Sequence, residues 1–222
     1  MTLAIPALHR VPAAERGITI GDFLIPVRFG ERISPRLRDI ALVVAGAMLI
    51  ALSSLVRIPV PGSPVPITGQ TFAVLLVGGA LGYRRGTLAT LGYLLIGFFL
   101  PVYSGGASGP DTILSVDNGT IVLGATGGYL VGFVFASALV GRLAELGWDR
   151  RIGGAIAAML LGNLVIYAFG VPWLMAATGF SLQEAIAKGL TPFLIGDAIK
   201  LLLAAAAFPV AWWVVGRRPG ER

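Results

Sequence analysis

The sequence predicts an all-α integral membrane protein, a six-helix transmembrane bundle with an outward-facing ligand pocket capped by loops. Three observations carry this. Of the 222 residues, 56% are hydrophobic and 13% charged, with a mean hydropathy of +0.85, whereas a soluble domain carries about 25% charged residues. The apolar residues run in long blocks broken by Gly, Pro and Arg, without the alternation of a soluble fold. The basic residues flank these blocks and do not line one face.

The elements follow in order. Residues 1–39 form a basic cytoplasmic extension that lacks the sustained apolar core and cleavage site of a signal peptide. Two readings stay open for it: a segment lying along the membrane surface, or a poorly ordered tail. The membrane domain spans 40–215. Its first block is Ile40–Val56, followed by "RIPVPGSPVPITGQ", whose four prolines forbid a regular helix. The second block, Thr71–Tyr83, is short for a span. The third is Thr87–Val102, and a long polar loop then runs from Tyr103 to Gly119. Thr126–Leu146, Ile152–Phe169 and Phe193–Val215 complete the six, and 216–222 is a cytoplasmic tail.

Arginine and lysine set the orientation, because they are retained on the cytoplasmic side. Arg10, Arg16, Arg28, Arg32, Arg36, Arg38, Arg84, Arg85, Arg142, Arg150, Arg151, Arg217, Arg218 and Arg222 all fall on one side of a six-span arrangement. Arg57 and Lys188 fall on the other, and Lys200 lies within the last span. Both termini are therefore predicted to be cytoplasmic in a multi-pass protein of the inner (cytoplasmic) membrane, with the bilayer as its first partner. The Pro-rich first loop, the Gly-rich third loop and the fifth loop then face outward, together with Asp197 and Lys200.

Several functions are excluded. The net charge of +6 reflects topology, so no nucleic acid is expected as partner. The chain has no cysteine and a single histidine, His9, which leaves no catalytic triad, metal site or disulfide. No G-x-x-x-x-G-K-[ST] stretch cradles a nucleotide. Asp197 is the only carboxylate in an apolar span, too few for a proton relay. The reading is a binding protein without an enzyme activity, a resident cofactor or a fuel source.

Asp197 and Lys200 share one face of the last helix. A charge inside a span costs roughly 2.5–3.5 kcal/mol, and two explanations are even on spacing alone: a structural ion pair, or donors and acceptors for a small polar ligand. Asn163 and Tyr167, one turn apart on the fifth span, tilt the balance toward the ligand. Gly124, Gly128 and Gly132 mark close helix packing, with Thr126 and Tyr129 beside them as further polar groups. Ala47 and Ala51, like Ala41 and Ala45, form small-xxx-small pairs that serve either internal packing or a partner helix.

These segments resemble a known family. "PVPGSPVPITGQTFAVLLVGGALGYRRGTLAT" (59–90), "GFFLPVYSGG" (97–106), "GATGGYLVGF" (124–133), Gly162–Asn163 and "TPFLIGDAIK" (191–200) are similar to the motifs of the BioY family, the biotin-binding S components of energy-coupling factor (ECF) transporters. The resemblance covers roughly Ile40 to Val215. It implies biotin captured from outside and ATP-driven import with a transmembrane coupling protein and two cytoplasmic ATPases. It also implies that Asp197 and Lys200 contact biotin, that Pro66–Gln70 form a lid, and that small residues on the first helix, here Ala47 and Ala51, touch the coupling protein. Thr68, Gln70, Ser104, Gly105, Thr126 and Tyr129 join Asp197, Lys200, Asn163 and Tyr167 as expected biotin contacts. The alternatives are an S component for another vitamin, or a structural or channel protein. A lone chain and a homo-oligomer both stay open. Two features depart from the family pattern: the basic extension, and "PDTILSVDNGT" (110–120) in the third loop.

Overall fold

The computed structural model of the chain describes residues 18–24, 34–117 and 119–215. Most of the extension 1–39 and the whole tail 216–222 lie outside the described residues. The described elements are α1 (Gly21–Leu24), α2 (Pro35–Ser53), α3 (Gln70–Phe99), α4 (Gly127–Glu145), α5 (Ile152–Thr178), α6 (Leu182–Gly189) and α7 (Leu194–Val215).

Local chemistry fixes the ends of α2. The Ser34 hydroxyl accepts from the Leu37 N–H at 3.3 Å, and Pro35 occupies the first turn, a residue pair suited to starting a helix. The helix therefore begins before the predicted Ile40. It also stops before Val56: Ser53 and Ser54 donate to the Ile50 and Ala51 carbonyls, each at 2.6 Å, and the chain turns into the first loop.

The predicted second and third spans are two arms of α3, broken at Gly82 (φ 81°, ψ −179°), a conformation that only glycine adopts without strain. The arms fold back on each other so closely that a Cβ on Gly86 would lie 2.8 Å from Gly78 Cα. Glu145 on α4 accepts the Tyr83 N–H at 2.8 Å, satisfying a free donor at the start of the second arm. The first arm, Gln70 to Leu81, rises only about 18 Å, against about 30 Å of bilayer hydrocarbon. Ala73, Val74, Leu75, Val77 and Leu81 are buried along it, so protein rather than lipid surrounds much of this short arm.

In the bundle, α3 packs on α2 and α4, α4 on α5, and α5 on α7. The six spans are α2, the two arms of α3, α4, α5 and α7. Gly127–Glu145, Ile152–Thr178 and the run Leu182–Val214 are long and apolar enough to cross a membrane by length and composition. Leu160, Leu164, Leu202, Leu203 and Trp213 point outward from them, as lipid-facing side chains do. The α5 helix continues through Pro172 to Thr178, past the predicted Phe169, and α6 starts with a Ser181–Glu184 capping box. Two small antiparallel hairpins sit at the loop end: Arg57–Ile58 with Ile67–Thr68, and Leu114–Asp117 with Thr120–Leu123. The second overlaps the departure at 110–120 and runs on to Leu123; its first strand falls in the stretch Tyr103–Gly119, read from sequence as a polar loop.

One expectation is corrected. Ala47 and Ala51 are buried, at 2% and 5% exposure, and Ala47 Cβ lies 3.6 Å from where a Cβ on Gly92 would stand. Both are interior positions, Ala47 against α3, and neither offers a surface to a partner. Ala41 and Ala45 occupy the exposed face of the same helix.

At the arginine-rich end, Asp149 is buried between α4 and α5 and accepts from Trp212 Nε1 at 2.7 Å. Burial pushes its carboxyl up from 3.8 to about 6, against the opposing pull of Trp212 and Arg150. A carboxyl that holds its proton more tightly when folded favours the fold at low pH, and this advantage is lost as pH rises from about 4 through about 6. The thermal midpoint in detergent should therefore fall over that window. Asp149→Asn should flatten the fall, and an unchanged pH profile in that variant would refute the assignment.

Candidate ligand-binding site

Asp197 and Lys200 open α7 on the same face as predicted. Lys200 Nζ donates to Asp197 Oδ1 at 3.2 Å, to the Thr68 carbonyl at 3.0 Å and to Thr71 Oγ1 at 2.8 Å. Its three N–H groups are thus all engaged. Tyr167 donates its hydroxyl to Asp197 Oδ2, and Asp197 is 5% exposed. The pair therefore ties the last helix to α5, to the end of the first loop and to the first turn of α3.

A second chain of polar groups runs beside it. Thr68 Oγ1 donates to Gln70 Oε1 at 3.0 Å, Gln70 Nε2 donates to the Tyr93 hydroxyl, and Tyr93 donates to the Val102 carbonyl at 3.3 Å. Gln70 is 2% exposed, so this chain satisfies a buried amide that would otherwise be costly. Tyr129 donates to the Gly189 carbonyl at 2.7 Å. Its ring stands edge-on to Tyr167 at 6.4 Å and close against Gly170, where a Cβ would meet it at 2.4 Å.

These side chains enclose one cavity. Thr68, Gln70, Ser104, Thr126, Tyr129, Tyr167 and Lys200, all singled out in the sequence, line it. The Ser104 hydroxyl is out of solvent and has no hydrogen-bond partner. Asp197 is not on the wall; it holds Tyr167 and Lys200 from behind. Asn163 lines a separate small cavity with Lys200, and Gly105 lies in the turn Ser104–Gly106. The free volume of the main cavity is about 40 Å³, well short of the roughly 300–1,000 Å³ of a small-ligand pocket.

Sequence reading missed Thr71, Leu130, Phe133 and Phe193, which also line the cavity. A signal existed for two of them. Thr126, Tyr129, Leu130 and Phe133 fall at i, i+3, i+4 and i+7, one stripe of a helix. The first loop closes one side of the cavity with Val65, Pro66 and Thr68; its Ser63 hydroxyl donates to the Lys188 carbonyl at 2.8 Å, and its Thr68 carbonyl is held by Lys200.

Fold and cavity together define the class: a polytopic helical membrane protein with an enclosed pocket, part polar and part aromatic, at one end of the bundle. The BioY family matches residues 27–217. "Biotin transporter BioY" of Rhizobium etli is 36% identical over 177 residues, 76% of this chain and 89% of the relative. The protein of the same name from Thermotoga maritima is 35% identical over 166 residues, 74% of this chain and 86% of the relative. The crystal structure of an S-component for biotin from an ECF-type ABC transporter superposes with a TM-score of 0.69 at 25% identity, covering 80% of this chain and 93% of that one. The chain belongs to the BioY family.

Proposed function

We propose that this protein is the biotin-capturing S component of an ECF-type uptake transporter, loading biotin at the outer face of the cytoplasmic membrane. The relatives are named for biotin transport. The observation that carries the reading is the cavity itself. Its wall sets the Lys200 ammonium and the unpartnered Ser104 hydroxyl against the rings of Tyr129, Phe133, Tyr167 and Phe193. Biotin's ureido ring brings two N–H donors and one carbonyl acceptor to such a wall. Lys200 donates toward the carbonyl, the Ser104 hydroxyl is free to accept a ring N–H, Asp197 fixes Lys200 and Tyr167 from behind the wall, and the aromatic rings cover the apolar part of the bicycle. For biotin to enter, the first loop lifts, breaking the Lys200–Thr68 and Ser63–Lys188 contacts. Asn163, on the far side of Lys200 in a separate cavity, acts on the ligand by way of Lys200.

A coupling protein and two ATPases supply the driving force, because this sequence has no nucleotide-binding loop. ATP is spent on the partners, and no cofactor is assigned to this chain. The direct test is equilibrium binding of labelled biotin to the purified protein in detergent, with unlabelled vitamins as competitors. Saturable binding at one site per chain, displaced by biotin alone, is expected. Displacement by a different vitamin, or no saturable binding, would sink the assignment. Orientation is checked on the same cysteine-free chain. A cysteine placed at the exposed Ser108 should react with an impermeant maleimide from the outside, and labelling only from the cytoplasmic side would invert the topology.

A further inference from the structure

The opposite end of the bundle carries a second recess, of about 640 Å³, lined by Arg38, Arg84, Arg85 and Arg142 with Asp22, Asp39 and Glu145. Its volume is that of a small-ligand pocket. The carboxylates are already committed. Asp22 accepts from Arg85 at 2.7 Å and from Arg38 at 3.5 Å, Asp39 from Arg85 at 3.4 Å, and Glu145 from Arg142 at 3.0 Å. Arg85 also donates to Thr19 Oγ1 at 3.1 Å and to the Leu81 carbonyl at 3.1 Å, so it makes four hydrogen bonds in all. It works as a structural clamp on the docked segment Thr19–Leu24, in which Thr19 and Ile20 are buried.

Donors remain after this pairing. Arg84 has no ion pair among the described residues, and Arg38 Nε is buried without a hydrogen-bond partner. Four guanidinium groups face three carboxylates, which leaves one positive charge. Arginines kept only to orient the chain would stand in water with their donors hydrated. Here Arg38 Nε is out of solvent and unmatched, and Arg84, exposed in the same recess, has no carboxylate partner among the described residues. The rim is apolar: Leu37 and Ile40 flank Arg38 on α2, and Leu88 lies one turn beyond Arg84, all more than half exposed. Tyr83, 48% exposed, is a residue type enriched at membrane–water boundaries.

We propose that this recess binds the phosphate of an anionic phospholipid headgroup in the cytoplasmic leaflet, with its acyl chains lying against Leu37, Ile40 and Leu88. Arg84 and Arg38 Nε donate to the phosphate oxygens. Arg142, 62% exposed, leaves Glu145 to join them, and Glu145 keeps its bond to Tyr83. A bound lipid would fix the Gly82 turn and the docked N-terminal segment against α4. The site lies away from the biotin pocket, so its test does not depend on ligand capture, although the choice of leaflet rests on the orientation proposed above.

The test compares the parent protein with Arg84→Gln and Arg84→Gln/Arg142→Gln. Each is reconstituted in nanodiscs of phosphatidylcholine containing phosphatidylglycerol, extracted, and examined by native mass spectrometry for retained lipid. Each basic residue near an anionic surface contributes about fivefold, so the double variant should retain roughly 25-fold less phosphatidylglycerol, with phosphatidylcholine unaffected and biotin binding unchanged. Arg84 makes no contact that folding needs, so the single variant guards against loss through misfolding. Equal retention by all three proteins would overturn the site. Inorganic phosphate at millimolar concentration serves as competitor: failure to displace the lipid supports a lipid ligand, and full displacement would reassign the recess to a free phosphate. Loss of both lipids alike from the variants would also overturn the proposal, because it would report a general change of surface.

Discussion

Asp197→Asn should weaken biotin binding by at least about tenfold while the protein stays monodisperse in detergent. Removing one partner of a buried charged hydrogen bond costs about 2–5 kcal/mol, or ~30-fold to several thousand-fold in affinity. The variant keeps the shape of the carboxylate and an acceptor for Tyr167 but loses the charge that faces Lys200. Lys200 then keeps only neutral acceptors, the Thr68 carbonyl and Thr71 Oγ1, and a buried ammonium in that setting is poorly compensated. Lys200→Met acts from the other side. It removes the donor that lines the cavity and frees the first loop at Thr68, so binding should fall by a similar factor and loop closure should weaken. Titration of labelled biotin against both variants, with a thermal midpoint recorded for each, separates the readings. Parental affinity in both, with only a lowered midpoint, would mean that the pair merely fastens α7 to the first loop.

What the sequence made legible was whatever depends on composition and short-range spacing. Long apolar blocks and flanking arginines marked six spans, and the i, i+3 spacing of Asp197 and Lys200 placed them on one face. Thr68, Gln70, Ser104, Thr126, Tyr129 and Tyr167 converge on one cavity from four separate segments; all but Tyr167 lie in family motifs, and spacing cannot bring distant segments together. Long-range geometry was not legible. Nothing in the order of residues says that Asp197 stands behind the wall while Lys200 stands on it; that depends on Tyr167 arriving from α5 to claim Oδ2. Asn163 and Tyr167 share a helix face at i and i+4 but meet different cavities, because Lys200 divides the space between them. The two alanine pairs of α2 are identical as patterns. Only packing distinguishes them, because Ala47 and Ala51 are buried, Ala47 beside Gly92 of the second arm of α3, while Ala41 and Ala45 are exposed.

That distinction yields the second large effect. Ala41→Leu/Ala45→Leu should abolish biotin uptake in cells that supply the coupling protein and ATPases, by at least about tenfold, the equivalent of about 1.4 kcal/mol of lost docking. Biotin binding to the isolated variant should stay within about twofold of the parent, a change of only about 0.4 kcal/mol. Small residues let two membrane helices approach backbone to backbone, and their replacement by leucine holds the partner away. Ala41 and Ala45 are the exposed small pair on a helix whose neighbours on that face, Val44, Met48 and Leu52, are large, so the notch they make is the place on α2 where a partner helix can come close. Ala47→Leu is the control. It drives extra volume into the contact with Gly92, and overpacking of this kind costs about 1–3 kcal/mol, so it should lower the thermal midpoint and damage binding and uptake together. Uptake at parental levels in the Ala41/Ala45 double variant would show that the coupling protein docks on another face. Loss of binding along with uptake would show that this pair, too, supports the interior.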